Sequence, residues 1–163
     1  ASITSGITST YGEYIFKFYN IGPATNDVNF TFQVNATDGA DYNDSVITST
    51  FFKAVHTEDG STTAALSYDT GAHLEQAASF QILGAGIGNG ADESLAGELH
   101  LFTPSSTTYL KHFYAKTNHY GQQNASYNSF VNGYINDTTA IDDIQFKMSS
   151  GNFDGTIKMW GVK

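Results

Sequence analysis

Runs in which apolar and polar residues alternate recur along this sequence, and they restrict the chain to folds built from β-strands. The clearest is VNFTFQV, residues 28–34, where every second residue is apolar. Successive side chains of a strand point to opposite faces, so this run predicts one face in a core and a polar face opposite. In EYIFKFYN, residues 13–20, Tyr14, Phe16 and Phe18 share a face in the same way. Turn residues lie between the two runs, and we expect a hairpin or two adjacent strands.

Further runs of this kind bring the predicted number of strands to about nine or ten. They comprise residues 45–56, 79–83, 97–103, 109–116, 130–136, 140–148 and 156–162. In the first of these the apolar positions change parity at Phe51 and Phe52, which predicts a β-bulge. The segment PSSTT, residues 104–108, predicts a hairpin between the strands that flank it. The last run is predicted to pair with residues 140–148, which would hold it in a sheet.

The segments between these runs favour loops and set the fold class. GAGIGNGADES, residues 84–94, is predicted to be a glycine-rich loop, and AHLEQAA, residues 72–78, is the one helix candidate, of a single turn at most. Strands do not alternate with helices and no fixed repeat is found. We therefore expect an all-β, antiparallel, jelly-roll-like β-sandwich that forms a single domain over residues 1–163. The 12 Phe and 10 Tyr support this class, because aromatic side chains pack well on strands.

Charge and cysteine content exclude several partners and chemistries. Sixteen acidic residues against seven basic ones give a net charge of -9, which repels nucleic acid and anionic membranes. The sequence contains no cysteine, so disulfides, thiol catalysis and thiolate metal sites are excluded. It has no apolar run of about 18 residues and no charged segment leading into an apolar one, so we expect neither a transmembrane span nor a signal peptide. The predicted partners therefore include no nucleic acid and no membrane.

The polar residues do not form a recognisable catalytic or cofactor-binding pattern. The five histidines occur singly, and only His100 and His112 are placed to face each other across the predicted hairpin. We interpret them as polar-face residues on neighbouring strands and expect no zinc site. Asp38, Asp41 and Asp44 lie in one loop with spacing that can hold Ca²⁺, but the loop lacks the EF-hand pattern and is interpreted as a plain turn. We predict no catalytic residue, no metal site and no cofactor, and hence no enzyme.

A segment rich in amides and aromatic residues offers a recognition surface. NHYGQQNASYNSF, residues 118–130, contains Tyr120 and Tyr127 and is predicted to be largely loop. Aromatic rings and amides of this kind stack on and hydrogen-bond to sugars, and tyrosine is also enriched in protein interfaces. Both alternatives remain open from the sequence.

The last part of the sequence carries a more specific pattern. It consists of Ala140-Ile141, Ile144 and Phe146, the turn Ser150-Gly151-Asn152-Phe153, Gly155-Thr156, and a closing run apolar-apolar-Gly-apolar-Lys. This region resembles the carboxyl-terminal strand pair of small virion proteins of tailed bacteriophages, including cyanophages and other marine phages. Residues 97–115, GELHLFTPSSTTYLKHFYA, are similar to the hairpin of the same proteins.

The resemblance implies a non-enzymatic structural protein of the phage virion, assembled in the host cytoplasm. The family includes capsid decoration or cement proteins, which bind the outside of the major capsid shell, and this is the function we expect. The alternative is a tail-fibre part or a receptor- or carbohydrate-binding module of the virion. The expected partners are the major capsid protein or other virion subunits, together with further copies of the chain, in a trimer or another cyclic oligomer.

Overall fold

The computed structural model describes residues 1–37, 39, 41–42, 45–61, 64–121 and 123–163. These residues contain no helix, and therefore none that is long and apolar enough to cross a membrane. They form eleven strands: β1 (Ser2–Ile3), β2 (Glu13–Pro23), β3 (Val28–Ala36), β4 (Ile47–Thr57), β5 (Ala65–Tyr68), β6 (Gln81–Ile87), β7 (Leu95–Phe102), β8 (Lys111–Gly121), β9 (Ala125–Ile135), β10 (Ile141–Met148) and β11 (Phe153–Val162).

All strand pairs are antiparallel, and the strands form two layers. The first, which we call the large sheet, has the order β5-β4-β9-β8-β7-β2-β11. The second, the small sheet, has the order β1-β10-β3-β6. A single residue pair, Ile87 with Gly121, joins β6 of the small sheet to β8 of the large one.

The pairing is nested in the manner of a jelly roll. Strand β2 pairs with β11, β3 with β10 and β4 with β9, so early strands meet late ones in reverse order. The prediction of an all-β, antiparallel, jelly-roll-like sandwich is confirmed. The chain crosses from one layer to the other at every connection except those between β4 and β5, between β7 and β8 and between β8 and β9.

The core lies between the two sheets and is rich in phenylalanine. Phe18 of the large sheet contacts Phe30 of the small sheet edge to face, with ring centroids 5.1 Å apart. Phe32 and Phe113 make the same contact across the layers at 5.1 Å. Burying each such ring stabilises the fold by roughly 3 kcal/mol, and each ring pair adds about 1 kcal/mol. The alternating faces of β2 and β3 were therefore predicted correctly.

The predicted partner of β2 was wrong. Strands β2 and β3 are neither a hairpin nor neighbours, because they lie in opposite sheets and face each other across the core. Each of them buries a face of large rings, and two such faces are best buried against one another. The turn residues between them carry the chain over the edge of the sandwich instead of folding it back in one sheet.

The predicted partner of β11 was also wrong. It pairs with β2, from Val162 opposite Glu13 to Phe153 opposite Pro23, whereas β10 lies between β1 and β3. Ile157 and Met159 of β11 pack against the core from the large-sheet side. The strand is thus held in a sheet as expected, but at its edge.

Two local predictions also differ from the structure. Strand β4 pairs with β9 without a register shift, so the predicted bulge is absent; the parity change arises because Phe52 points outward and stacks on Phe130. The predicted loop 84–94 begins as strand β6, because a Cβ atom at Gly84 would lie only 2.5 Å from Leu95 Cδ1 and glycine lets β6 approach the large sheet. Residues 72–78 contain no helix. The hairpin of β7 and β8 is confirmed.

Candidate contact surface

Along β3, the outer face of the small sheet is covered by other parts of the chain. Gln33 points away from the core, yet it is fully buried. Its Nε2 donates hydrogen bonds to the carbonyl oxygens of Ser45 at 3.0 Å and Ala78 at 3.2 Å. At the neighbouring strand the ammonium group of Lys147 lies 3.8 Å from the centre of the Phe80 ring. Gln33 therefore holds the fold together and is not free to bind a partner, whereas Gln145 and Lys147 of β10 keep part of their surface exposed.

The outer face of the large sheet is open and carries large side chains. Trp160 and Tyr19 at one end are each 42% exposed, and Leu66 at the other end is 74% exposed. Three shallow grooves of 450, 400 and 410 Å³ lie on this face. We call it the contact face and define it by the outward residues of β11, β2, β7, β8, β9, β4 and β5.

One continuous row of side chains crosses the contact face, with one residue from every strand. The strand register places the following residues side by side, in this order: Lys158, Lys17, Glu98, Lys116, Phe130, Phe52 and Tyr68. The row is charged at the β11 end and aromatic at the β5 end. Cross-strand contacts are the means by which a sheet fixes such side chains.

Contacts along this row hold both halves in place. Lys17 Nζ lies 3.6 Å from Glu98 Oε2. The ammonium group of Lys116 lies 5.4 Å from the centre of the Phe130 ring, within reach of a cation–π interaction. Phe130 in turn stacks on Phe52 with centroids 4.9 Å apart. The face is therefore ordered before any partner binds, which lowers the entropy cost of binding.

A second cluster lies beside this row and is built around His100. The ring of His100 stacks on Tyr114 with centroids 4.3 Å apart, and its Nδ1 lies 2.5 Å from Glu13 Oε1. Its Nε2 is 3.4 Å from Glu98 Oε1 but not in hydrogen-bond geometry. Burial raises the pKa of the Tyr114 hydroxyl, and the Glu13 and Glu98 carboxylates raise it further. The imidazole thus bridges neighbouring strands between two carboxylates.

The predicted opposition of His100 and His112 is wrong. The register places Tyr114 opposite His100, whereas His112 lies opposite Tyr134 of β9, with ring centroids 6.1 Å apart. The shift follows from the length of the loop between β7 and β8, which sets the register. In the part of the chain that the structure describes, no three histidine or acidic side chains are grouped to hold a metal ion.

Two other predicted sites have different outcomes. Asp38 and Asp44 lie outside the described residues, and Asp41 is exposed, so the interpretation of this loop stays a prediction. Tyr120 and Tyr127 lie on strands β8 and β9, not in a loop, and point to opposite faces. The Tyr120 hydroxyl lies 3.2 Å from Glu58 Oε2, whereas Tyr127 stacks on His119 at 4.9 Å. The two tyrosines therefore do not form one recognition surface.

Strand β8 also buries two ionisable groups that the sequence did not reveal. Lys111 is fully buried, and its ammonium group donates to the carbonyl oxygens of Asp137 and Thr139. Burial lowers the pKa of this ammonium group. His119 is 1% exposed, and burial lowers the pKa of its imidazole to about 4. Lys111 and His119 lie on the core side of β8, each an even number of residues from Phe113. This even spacing is the one feature of the sequence that indicates their burial.

The groove of 450 Å³ has the most varied chemistry on the contact face. Its floor is formed by Ala96 and Gly97, where a Cβ atom on the glycine would lie 2.4 Å from the Lys116 carbonyl oxygen. Its walls carry the ring of Tyr19 together with the amides of Asn118 and Asn128. Asn118 Nδ2 donates to Ser126 Oγ and to the Tyr127 carbonyl oxygen, so the groove offers a ligand the Tyr19 ring, the Asn118 side-chain oxygen and the Asn128 amide. It suits a polar ligand with a flat apolar side, such as a sugar ring, or a side chain of a partner protein.

Comparison with known proteins gives no family for this chain: no family model, no curated protein and no solved structure matches it.

Proposed function

We propose that this chain is a non-enzymatic structural protein of a tailed-phage virion that binds the outside of the capsid shell through its contact face. The observation that carries the proposal is the open row from Lys158 to Tyr68, which presents aromatic and charged side chains of seven strands on one surface. The resemblance of residues 140–163 and 97–115 supports the virion as the setting. The partner is the major capsid protein or another virion subunit.

The size of the contact face supports docking onto another protein. Strands lie about 4.8 Å apart, so seven of them span about 29 Å. The central strands have 8 to 11 residues, and at about 3.3 Å per residue they are about 30 Å long. The resulting area of about 900 Å² matches one side of a standard protein interface, which is about 800 Å². The face is therefore large enough for one specific partner.

An energy estimate indicates how such docking stabilises a shell. If about half of the face is apolar, its burial contributes about 11 kcal/mol, whereas association costs about 4 to 15 kcal/mol. The net affinity of one copy is therefore modest. Many copies that each bridge neighbouring shell subunits stabilise the particle together.

The charge on the face differs from that of the whole chain. Lys17, Lys116 and Lys158 lie on it with Glu13, Glu98 and Asp154, so positive and negative charges balance on this face, while the chain carries -9. Most of the acidic residues therefore lie on other surfaces of the protein. An acidic or neutral shell surface would therefore attract this face in preference to the others.

Binding to capsids of the encoding phage tests the proposal. We expect a copy number comparable to that of the shell subunit, and a loss of affinity of about tenfold for Trp160→Ala or Tyr68→Ala. Tyr109→Ala, which removes an exposed ring from the loop between β7 and β8, is the matched control and should bind normally. Absence from the shell, or an equal loss in all three variants, contradicts the proposal.

A second candidate function, carbohydrate binding at the tail, is favoured by the groove that Tyr19, Asn118 and Asn128 line. A glycan array with the purified protein tests it, with Asn128→Ala as the site variant and Asn132→Ala, on the same strand and face, as the control. Binding of a defined glycan that only Asn128→Ala removes would favour the tail function. A particle count of a few copies located on the tail would do the same.

A further inference from the structure

The strands at the ends of the two sheets differ in how well their free edges are protected. A free edge exposes unpaired backbone groups to pairing with another chain, and proteins protect such edges with short strands, covering segments or charges. Strand β1 has 2 residues and β5 has 4, so both present little edge. The outer edge of β6, which has 7 residues, lies against β8, where Ile87 pairs with Gly121 and Thr117 Oγ1 donates to the Leu83 carbonyl oxygen. Strand β11 has 10 residues and pairs with β2 alone among the strands of the described chain. It is the long free edge of this fold.

The side chains of β11 leave this edge accessible. Ile157 and Met159 point inward and are partly buried against the core. Thr156, Lys158 and Trp160 point to the contact face and are exposed. The pairing with β2 shifts register between Asp154 and Thr156, where Gly155 has a φ of 128° and the additional residue lies on β2, and it is regular from Thr156 to Val162. A second strand can align along the first seven residues of β11, 153–159, without displacing a packed side chain.

Charge is distributed unevenly along β11. Near its start, Asp154 borders a groove of 500 Å³ that Asp92 and Glu93 also line. Farther along the strand comes Lys158, and Lys163 follows the strand. The edge thus has an acidic end and a basic end. Antiparallel pairing of two identical edges places the acidic end of each against the basic end of the other, so the edge is complementary to itself.

The positions of the charges also select a register. Pairing about a two-fold axis at Thr156 places Asp154 of each copy opposite Lys158 of the other. Pairing about Lys158 would instead place the two lysines opposite each other, which is unfavourable. We propose that two copies of this chain associate through β11, in antiparallel pairing about a two-fold axis at Thr156. The contact faces of both copies then form one continuous surface.

This inference is independent of the proposed function, because the dimer forms without a capsid or a glycan. It also differs from the trimer expected from the sequence, since a two-fold axis through one strand closes the assembly at two copies.

Cysteine cross-linking of the purified protein tests the axis directly, because the natural sequence has no cysteine. In an antiparallel pair, opposite Cα atoms lie about 4.5 to 5.5 Å apart, a distance that a disulfide spans. We expect Thr156→Cys to form a covalent dimer on mild oxidation. Leu66→Cys, at the exposed edge strand β5, is the matched control and should stay monomeric. Cross-linking of Leu66→Cys alone, or of neither variant, overturns the proposal.

A charge exchange tests the register. Asp154→Lys and Lys158→Asp should each weaken the dimer about tenfold or more in analytical ultracentrifugation, because each change replaces two attractions by two repulsions. The double variant restores both pairs and should restore the dimer, which a general loss of folding would not permit. A monomer or a trimer for the unaltered protein, or a double variant no better than the single ones, overturns the proposal.

Discussion

The two outer faces of this sandwich are built from similar residue types but have opposite roles. On the small sheet, outward polar side chains such as Gln33 are covered by remote segments and hydrogen-bond to their backbone. On the large sheet, outward residues such as Lys17 and Trp160 remain exposed, and Lys17 contacts Glu98 on the adjacent strand. One face therefore contributes to stability and the other is available for binding. Substitutions on the two faces should separate these roles.

The largest effect is expected for Gln33→Ala on the covered face. The substitution removes the amide that donates to the carbonyl oxygens of Ser45 and Ala78 and that accepts from the Val34 N–H, in a buried or partly buried setting. We expect the free energy of unfolding to fall by about 3 kcal/mol. Urea denaturation measures this value, and Gln145→Ala on the exposed part of the same sheet is the control. An equal, small effect for both would remove the distinction between the faces.

An effect of similar size is expected from acid, through the inward side of β8. Buried His119 has its pKa lowered to about 4, so the unfolded chain takes up the proton first as the pH falls below 6.5. Neutral His119 makes its full contribution to the free energy of unfolding above pH 6.5. This contribution is lost as the pH falls to about 4, which lowers the free energy of unfolding by roughly 3 kcal/mol. In His119→Leu, the free energy of unfolding measured across this pH range should not show this fall. His112→Leu, on the outward side of the same strand, should keep it.

Removal of a ring from the open face should affect binding more than stability. Trp160→Ala is expected to change the free energy of unfolding by less than about 1 kcal/mol, because the ring is already 42% exposed. The same variant should bind capsids about tenfold more weakly. Thermal unfolding and cosedimentation on one preparation compare the two quantities. A large loss of stability would assign this ring to the fold instead of to a partner.

The smallest effect is expected for the ion pair on the same face. Lys17 and Glu98 are both well exposed, and their charges are 3.6 Å apart. Lys17→Gln should therefore change the free energy of unfolding by no more than about 0.5 kcal/mol, and added salt should reduce even that difference. Urea denaturation at low and high salt measures it. A change above about 1 kcal/mol would show that the open face also stabilises the fold.

The sequence predicted which side of each strand is buried better than it predicted which strands are neighbours. Alternation places Phe30 and Phe32 in a core because side-chain direction is a local property. The choice of partner depends on all strands at once, and an apolar face on β11 fits beside β10 as well as beside β2. Local patterns therefore gave the sandwich and missed two of its pairings.

The contact face lay beyond sequence analysis for a related reason. Gln33 and Lys17 both occupy polar positions of alternating strands. The residues next to them in the sequence do not indicate that remote segments cover Gln33 but leave Lys17 exposed. The row from Lys158 to Tyr68 likewise needs the register of six strand pairs. The exposure of a residue on a sheet depends on the segments that pack over it, and these segments are distant from it in the sequence.

The nested pairing also dictates when this fold can form. Glu13 pairs with Val162, which is synthesised 149 residues later. At about 5 to 20 residues per second, the ribosome needs roughly seven to thirty seconds to supply that partner. Until then β2 has an unpaired side, and the large sheet is complete only after residue 162 has been made. Newly made chains should thus depend on chaperones or on rapid release to avoid pairing with one another during this interval.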